Sequence, residues 1–288
     1  MATTGSGKLE KGLGIKTRRM IAYIVLGAIS FLCLVWFYIL LINATRSNGE
    51  LTKGFVPLPS KYLFTNWNNL ISGTLPVIRG LVNSMVVSTC SAVLCTYFSC
   101  MTAYAIHAYD FKCKKAIFSF ILAVMMIPTQ VTALGFLQLV SNMGLEDSFI
   151  PLVIPTIASP VTFYYMKQYM ASNLPLSIVE AARIDGSGEF RTFNTIVTPL
   201  MKPAIAVQAI FSFVSSWNNY FTPALILHDE KMKTLPILIA QLRSADFLKF
   251  DMGQVYVMIA FSIFPVVVVY LILSKHIVQG VALGGVKG

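Results

Sequence analysis

Charge is what this sequence has least of. Acidic and basic side chains make up 12% of its 288 residues, about half the share of an ordinary soluble domain, while 56% are hydrophobic. The charges that exist avoid the long apolar runs. Apart from Lys167 near the inner end of the fourth, the segments read below as membrane spans hold no Asp, Glu, Lys, Arg or His, and carriers or pumps that move protons or ions on their own normally need such groups inside the membrane. Cysteine is sparse and forms no C-x-x-C pair; Cys33, Cys90, Cys95, Cys100 and Cys113 read as small hydrophobes, so neither a disulfide framework nor a metal centre is expected. The three histidines, His107, His228 and His276, lie far apart. There is no H-E-x-x-H, no G-x-S-x-G and no carboxylate pair within a span, which leaves a membrane enzyme without a catalytic constellation. Gly5-Ser6-Gly7-Lys8 lacks both the earlier glycine and the following Ser or Thr of a phosphate loop, so the chain has no readable nucleotide site. The net charge of +10 has no basic stripe behind it, which argues against nucleic acid as a partner.

What is present is a series of apolar runs long enough to cross a bilayer. The fold class predicted is an all-α integral membrane protein with six transmembrane helices. After a polar N-terminal segment over 1–19, the spans fall at about 20–42, 81–106, 116–140, 149–171, 204–227 and 253–274, followed by a tail over 275–288. Between the first two spans, the polar stretch 43–80 is long enough for a small interfacial helix, with Trp67 as its anchor. The second span carries Ser84, Ser88, Ser91, Cys95, Ser99 and Thr102 on one face, a seam for close helix packing. Pro151, Pro155 and Pro160 break the fourth. Loops that this layout places in the cytoplasm hold 14 of the 22 Lys and Arg residues and those outside hold 8, so both termini are expected to be cytoplasmic.

Polar groups inside the spans are neutral. Gln208, Ser212, Ser215 and Asn219 stand on one face of the fifth span. With Gln130 and Gln138 in the third span, and Asn218 and Tyr220 nearby, they could line a path for an uncharged polyhydroxyl solute or bind helices to one another.

The segment 172–203, between spans four and five, is polar and heavily punctuated. Ser177 and Glu180 have the spacing of a capping box after Pro175, and Gly186 can end that helix in a left-handed conformation. A second helix over 189–197 would put Phe190, Phe193 and Val197 on one stripe. A helix-turn-helix held on the cytoplasmic face is a docking device.

Its residues also carry a family likeness. Glu180-Ala181-Ala182, three residues, Gly186, nine residues, Ile196, one residue, then Thr198-Pro199 resembles the EAA motif, E-A-A-x3-G-x9-I-x-L-P, of the membrane subunits of binding-protein-dependent ABC importers, with Thr198 where the motif prefers Leu. The run Trp217-Asn218-Asn219-Tyr220-Phe221, the Thr234-Leu235-Pro236 of the outer loop and the glycine-rich tail from Gln279 are similar to the smaller permease subunit of the carbohydrate-uptake, maltose-type class. The resemblance implies a non-catalytic chain in the bacterial cytoplasmic (inner) membrane. Its partners would be a second homologous permease, two ATPase subunits that hold the ATP and Mg, and an extracytoplasmic solute-binding protein that delivers sugar. Ser177, Glu180, Ala181, Ala182, Arg183, Asp185 and Gly186 would form the coupling helix seated on an ATPase. Gly284, Gly285 and Lys287 of the tail would touch the ATPases, and the loop 227–252 would reach into the binding protein. A permease for another solute such as a polyamine or glycerol phosphate, and a stand-alone channel or carrier, remain as alternatives.

Overall fold

The computed structural model describes residues 14–244 and 251–284, with side chains as far as Lys275; among them there is helix but no strand. In chain order the α-helices are α1 (Ile15–Ala44), α2 (Asn48–Leu51), α3 (Leu63–Ile71), α4 (Val77–Ala108), α5 (Lys114–Val124), α6 (Thr129–Asn142) and α7 (Ile150–Val153). A 3-10 turn (Ile154–Ile157) leads to α8 (Pro160–Asn173), α9 (Leu176–Ile184) and α10 (Glu189–Thr192). A π-helical turn (Phe193–Val197) joins α10 to α11 (Thr198–Leu200), and α12 (Lys202–Trp217), α13 (Phe221–Ile226), α14 (Leu235–Arg243) and α15 (Met252–Gly284) complete the chain.

The straight spans are α1, α4 and α15, each apolar and long enough to cross a bilayer. They match the runs 20–42, 81–106 and 253–274. Two bent pairs, if each is one span, raise the number of candidate crossings among the described residues to as many as five. Helices α5 and α6 meet at 96°, so the expected span 116–140 is broken; Pro128 supplies no N–H and disfavours helix at Ile127. The segment α10–α11 meets α12 at 82°. The expected fifth span 204–227 also ends early: α12 stops at Trp217 and the chain restarts as α13. The run 149–171 is segmented into α7, the 3-10 turn and α8, as its three prolines lead one to expect.

Helix α4 is the spine on which α8, α12 and α14 pack. Ser84, Ser88, Ser91, Cys95 and Ser99 are buried, so the seam expected from their small side chains forms, although Thr102 at its end is exposed. Toward its C-terminal end, Cys100, Ala103 and Tyr104 pack with Phe163, Met166 and Met170 of α8 and with Phe193, Val197 and Met201. Toward its start, Val77 and Ala92 pack with Phe213, Trp217, Leu238 and Met258. By contrast α1 leaves its apolar sides uncovered apart from its last residues, Ile42, Asn43 and Ala44.

Trp67, expected at the membrane interface, is half-buried. It packs edge-on against Phe261 of α15, with ring centroids 4.7 Å apart, because Asn66 beside it is pulled into the bundle. The buried Asn66 amide donates to the carbonyls of Ala44 (3.1 Å) and Arg46 (2.8 Å) and so satisfies the C-terminal end of α1. Gly253 of α15 lies against this junction. A Cβ there would stand 2.7 Å from Asn66 Nδ2 and 2.8 Å from the Arg46 carbonyl. Gly253→Val is therefore expected to destabilise the fold by about 1–3 kcal/mol. Gly27→Ala in α1, where a Cβ meets nothing within 4 Å, should not lower stability. Thermal unfolding of the two purified variants checks this, and equal melting temperatures would show that the junction is looser than described.

The outer loop after α13 is tied down at its base. Asp147 Oδ1 accepts from the backbone N–H groups of His228 (2.5 Å) and Asp229 (2.7 Å). Asn83 of α4 donates to the carbonyls of Lys231 and Lys233, both at 2.9 Å, and Ser84 Oγ accepts from the Leu235 N–H at 2.8 Å. Helix α14 then buries Leu235, Ile237 and Leu238, so this part of the loop 227–252 packs on the bundle.

Candidate functional site

The docking loop begins where the chain leaves α8. His107 donates from Nε2 to the Leu174 carbonyl at 2.9 Å, fixing the approach to α9. Pro175, with φ −61° and ψ 134°, occupies the N-cap, so α9 starts at Leu176. Ser177 therefore lies inside the first turn and makes no cap, and the expected S-x-x-E box is absent because Pro175 takes the N-cap two residues before Ser177. The other end is as expected. Gly186 has φ +74°, its N–H donates to the Arg183 carbonyl at 3.0 Å, and the Ser187 N–H donates to the Ala182 carbonyl at 2.9 Å, the double closure of a Schellman motif.

Helix α9 has two faces. Val179 and Ala182 are buried against the bundle, while Leu176, Ser177, Ile178, Glu180, Ala181, Ile184 and Asp185 are exposed. Ala182, expected with Ala181 on the docking side, thus packs on its own subunit. Ile184, 86% exposed, was missed by motif reasoning although an isoleucine at a helix end beside two charged residues was a legible signal. Glu180 makes no hydrogen bond or ion pair among the described residues.

Beyond Gly186 the stripe Phe190, Phe193 and Val197 also needs correction. Phe193 and Val197 are buried, but Phe190 is 71% exposed. The helix does not close at Val197. It widens into a π turn and continues to Leu200, so positions three and four apart no longer share the α-helical face. Pro199 gives the physical reason: it has no N–H and its ring crowds the carbonyl four residues earlier, which the wider turn accommodates. The Thr198 hydroxyl donates to the Phe193 carbonyl at 2.9 Å across it.

Arg183 is exposed like Glu180, but its guanidinium is engaged within its own chain. Its Nε donates to Glu189 Oε1 at 2.7 Å, its guanidinium lies 5.0 Å from the centroid of the Tyr109 ring, and the Tyr104 hydroxyl donates to Glu189 Oε2 at 3.0 Å. The cluster joins both arms of the docking loop to the end of α4. The Tyr109 hydroxyl, with Arg183 and Tyr104, holds the Glu189 carboxyl below its ordinary value of 4.5. A carboxyl lowered in the folded protein stabilises it above the unfolded value and ceases to do so as pH falls through the lower folded value. The loop is therefore expected to keep its protection from hydrogen exchange at pH 5 to 7 and to lose it below about 4.5, whereas Glu189→Gln should be less protected throughout and lack that acid step. A wild-type loop that opens near pH 6 would show that another group controls it.

The expected polar lining is brought together only in part. Gln208 is buried, Ser212 half-buried and Ser215 exposed, while Gln130 and Gln138 are exposed on α6. The break after Trp217 turns Asn219 away from the Gln208 line. Trp217 is buried and stacked on Phe213, with centroids 5.6 Å apart. Asn219 caps the next helix, its Oδ1 accepting from the Thr222 N–H at 3.3 Å; Asn218 and Tyr220 are exposed. Asn219 also lines a cavity of about 330 Å³ between α6, the α7 region and α13, and none of Gln130, Gln138, Gln208, Ser212 and Ser215 lines it. Of the expected tail contacts, Gly284 ends α15 and Gly285 and Lys287 lie outside the described residues.

Residues 96–283 match the family described as the binding-protein-dependent transport system inner membrane component. The chain is 35% identical over 266 residues to the arabinooligosaccharides transport system permease protein AraQ of Bacillus subtilis (strain 168), covering 90% of this chain and 92% of that one. It is 30% identical over 252 residues to the sn-glycerol-3-phosphate transport system permease protein UgpE of Rhizobium meliloti (strain 1021), covering 84% and 88%. Its fold is that of a chain in the crystal structure of a bacterial ABC transporter involved in the import of the acidic polysaccharide alginate, with a TM-score of 0.79 at 21% identity over 92% of this chain and 98% of that one. A membrane-embedded helical bundle, a matched family model over most of its length and permease relatives along nearly all of it lead to one assignment: the chain belongs to the inner membrane components of binding-protein-dependent transport systems, as a permease subunit without catalytic activity of its own.

Proposed function

We propose that this permease imports a sugar or oligosaccharide across the bacterial cytoplasmic membrane. It would cross the bilayer six times with both termini inside, and form the path together with a second homologous permease. ATP and Mg are held by two ATPase subunits, and a solute-binding protein delivers the sugar outside. The observation that carries the coupling role is the two-sided α9. Val179 and Ala182 seat it on the bundle, while Glu180, Ala181 and Ile184 offer an exposed surface with one carboxylate, the kind of mixed patch that marks a protein partner. Movement of an ATPase against that surface is transmitted through Arg183, Glu189 and Tyr104 to α4, on which the helices lining the path are packed.

Sugar as the cargo is supported by the neutral polar groups of the bundle and by the arabinooligosaccharide permease among the relatives. Glycerol phosphate is the second reading, favoured by the UgpE relative. A dianionic solute calls for cationic partners, and the cavity beside Asn219 is lined by none. The test is to purify the chain with its partner subunits and binding protein and to measure which solute stimulates ATP hydrolysis. Stimulation by a neutral oligosaccharide such as arabinotriose is expected; stimulation by glycerol-3-phosphate in its place would select the second reading.

A further inference from the structure

We propose that the cavity between α6, α7 and α13 is a sugar-contact site contributed by this subunit, an inference that rests on the sugar reading above and assigns it a place. Three separate irregularities of the membrane helices meet there. The break at Pro128 begins α6, the prolines 151 and 155 wind the α7 region into a 3-10 turn, and the gap after Trp217 begins α13. Interrupted backbone is tolerated at membrane depth where it is buried in protein or lines a water-filled space. All three interruptions border the same space of about 330 Å³, within the range of small-molecule sites.

The lining has the chemistry of a sugar site. Thr132 and Thr156 already donate their hydroxyl protons, to the Thr129 carbonyl (3.0 Å) and the Val153 carbonyl (2.6 Å), which leaves their oxygens as acceptors. The Thr222 hydroxyl and the Asn219 Nδ2 make no hydrogen bond among the described residues, which leaves them as donors, while Asn219 Oδ1 is held by the Thr222 N–H. Sugar hydroxyls need acceptors and donors side by side. Phe136 and Phe221 supply flat apolar surface for the C–H face of a pyranose or furanose ring. No charged side chain lines the cavity, so a phosphorylated or carboxylated solute would enter without a counter-ion.

The test uses the complete importer in proteoliposomes with its binding protein, with labelled arabinotriose and a set of neutral di- and trisaccharides as probes and glycerol-3-phosphate for comparison. The quantity read is solute taken up per ATP hydrolysed, which is independent of how much complex folds. Thr132→Val with Thr222→Val removes an acceptor and a donor without changing side-chain shape, and should lower sugar uptake per ATP about tenfold. Thr132→Ser with Thr222→Ser keeps both hydroxyls and should stay within about twofold of the wild type. If a neutral sugar is transported and the valine pair keeps the wild-type ratio, the cavity is not a sugar-contact site and the functional reading stands. If the wild type transports glycerol-3-phosphate and none of the sugars, both are overturned.

Discussion

Gly186→Val is expected to abolish ATP-driven uptake, by more than tenfold, while the subunit still enters the membrane and assembles. At φ +74° a β-branched residue is strained by about 1–3 kcal/mol whatever the space around it, and a Cβ at Gly186 meets nothing within 4 Å. The cost is therefore one of backbone conformation, borne at the closure that sets the exit direction of α9. Relaxing it releases the Gly186 and Ser187 N–H groups from the carbonyls of Arg183 and Ala182 and swings the exposed face of α9 relative to the bundle. The bundle itself is untouched, because Val179 and Phe193 keep their core on either side. Gly188→Ala provides the contrast. Gly188 has φ −65° and equal room, so alanine there should retain uptake. Uptake into membrane vesicles, with the complex quantified by co-purification of its subunits, separates the two variants. Wild-type uptake by Gly186→Val would mean that the loop's direction is unimportant.

Glu180→Lys should uncouple the importer in a different way. Glu180 is exposed and unpartnered within the described chain, so its replacement should alter the subunit's own stability by no more than about 0.5 kcal/mol. Any large effect must then arise in the partner. Reversing the charge in a contact that excludes water typically costs several kcal/mol, enough to detach the helix from its ATPase. The expected outcome is continued ATP hydrolysis with uptake reduced at least tenfold. The neighbouring alanines sharpen this. Ala181→Leu, on the exposed side, should impair coupling at unchanged melting temperature, whereas Ala182→Leu overfills a buried position and should lower the melting temperature by several degrees. The same phenotype from both alanines would contradict the two-sided α9.

How much of this could be read from sequence differs from residue to residue. The spans that became α1, α4 and α15 were legible because an uninterrupted apolar run has one solution in a bilayer. Gly186 was legible because a glycine after a helical stretch signals a left-handed closure. The prolines at 128, 151 and 155 announced breaks but not their angles, which depend on what fills the space beside them. The second helix was expected to end at Val197; it absorbed Pro199 by widening and ran on to Leu200, and Phe190 left the stripe in consequence. The motif places Arg183 beside Glu180 and says nothing of its contacts within the chain. Those contacts, with Glu189 and Tyr109 and through Glu189 with Tyr104, lie on segments that only the folded bundle brings together. Asn66 gave no signal either, since its role is set by two carbonyls at the distant end of α1. The line Gln208, Ser212, Ser215 and Asn219 assumed an unbroken helix through Asn219, and one break after Trp217 placed Asn219 at the cavity beside α6 and α13. Local pattern thus located the segment 172–203, and long-range packing decided which of its side chains stay exposed.

The most direct measurement is uptake by proteoliposomes containing this chain, its partner permease and the ATPase subunits, with the binding protein and labelled oligosaccharide on the binding-protein side and ATP on the other. Accumulation of sugar that requires ATP, the binding protein and an intact ATPase is the result the account requires. Sugar transport by the permeases alone, unaffected by ATP or by Glu180→Lys, would contradict it.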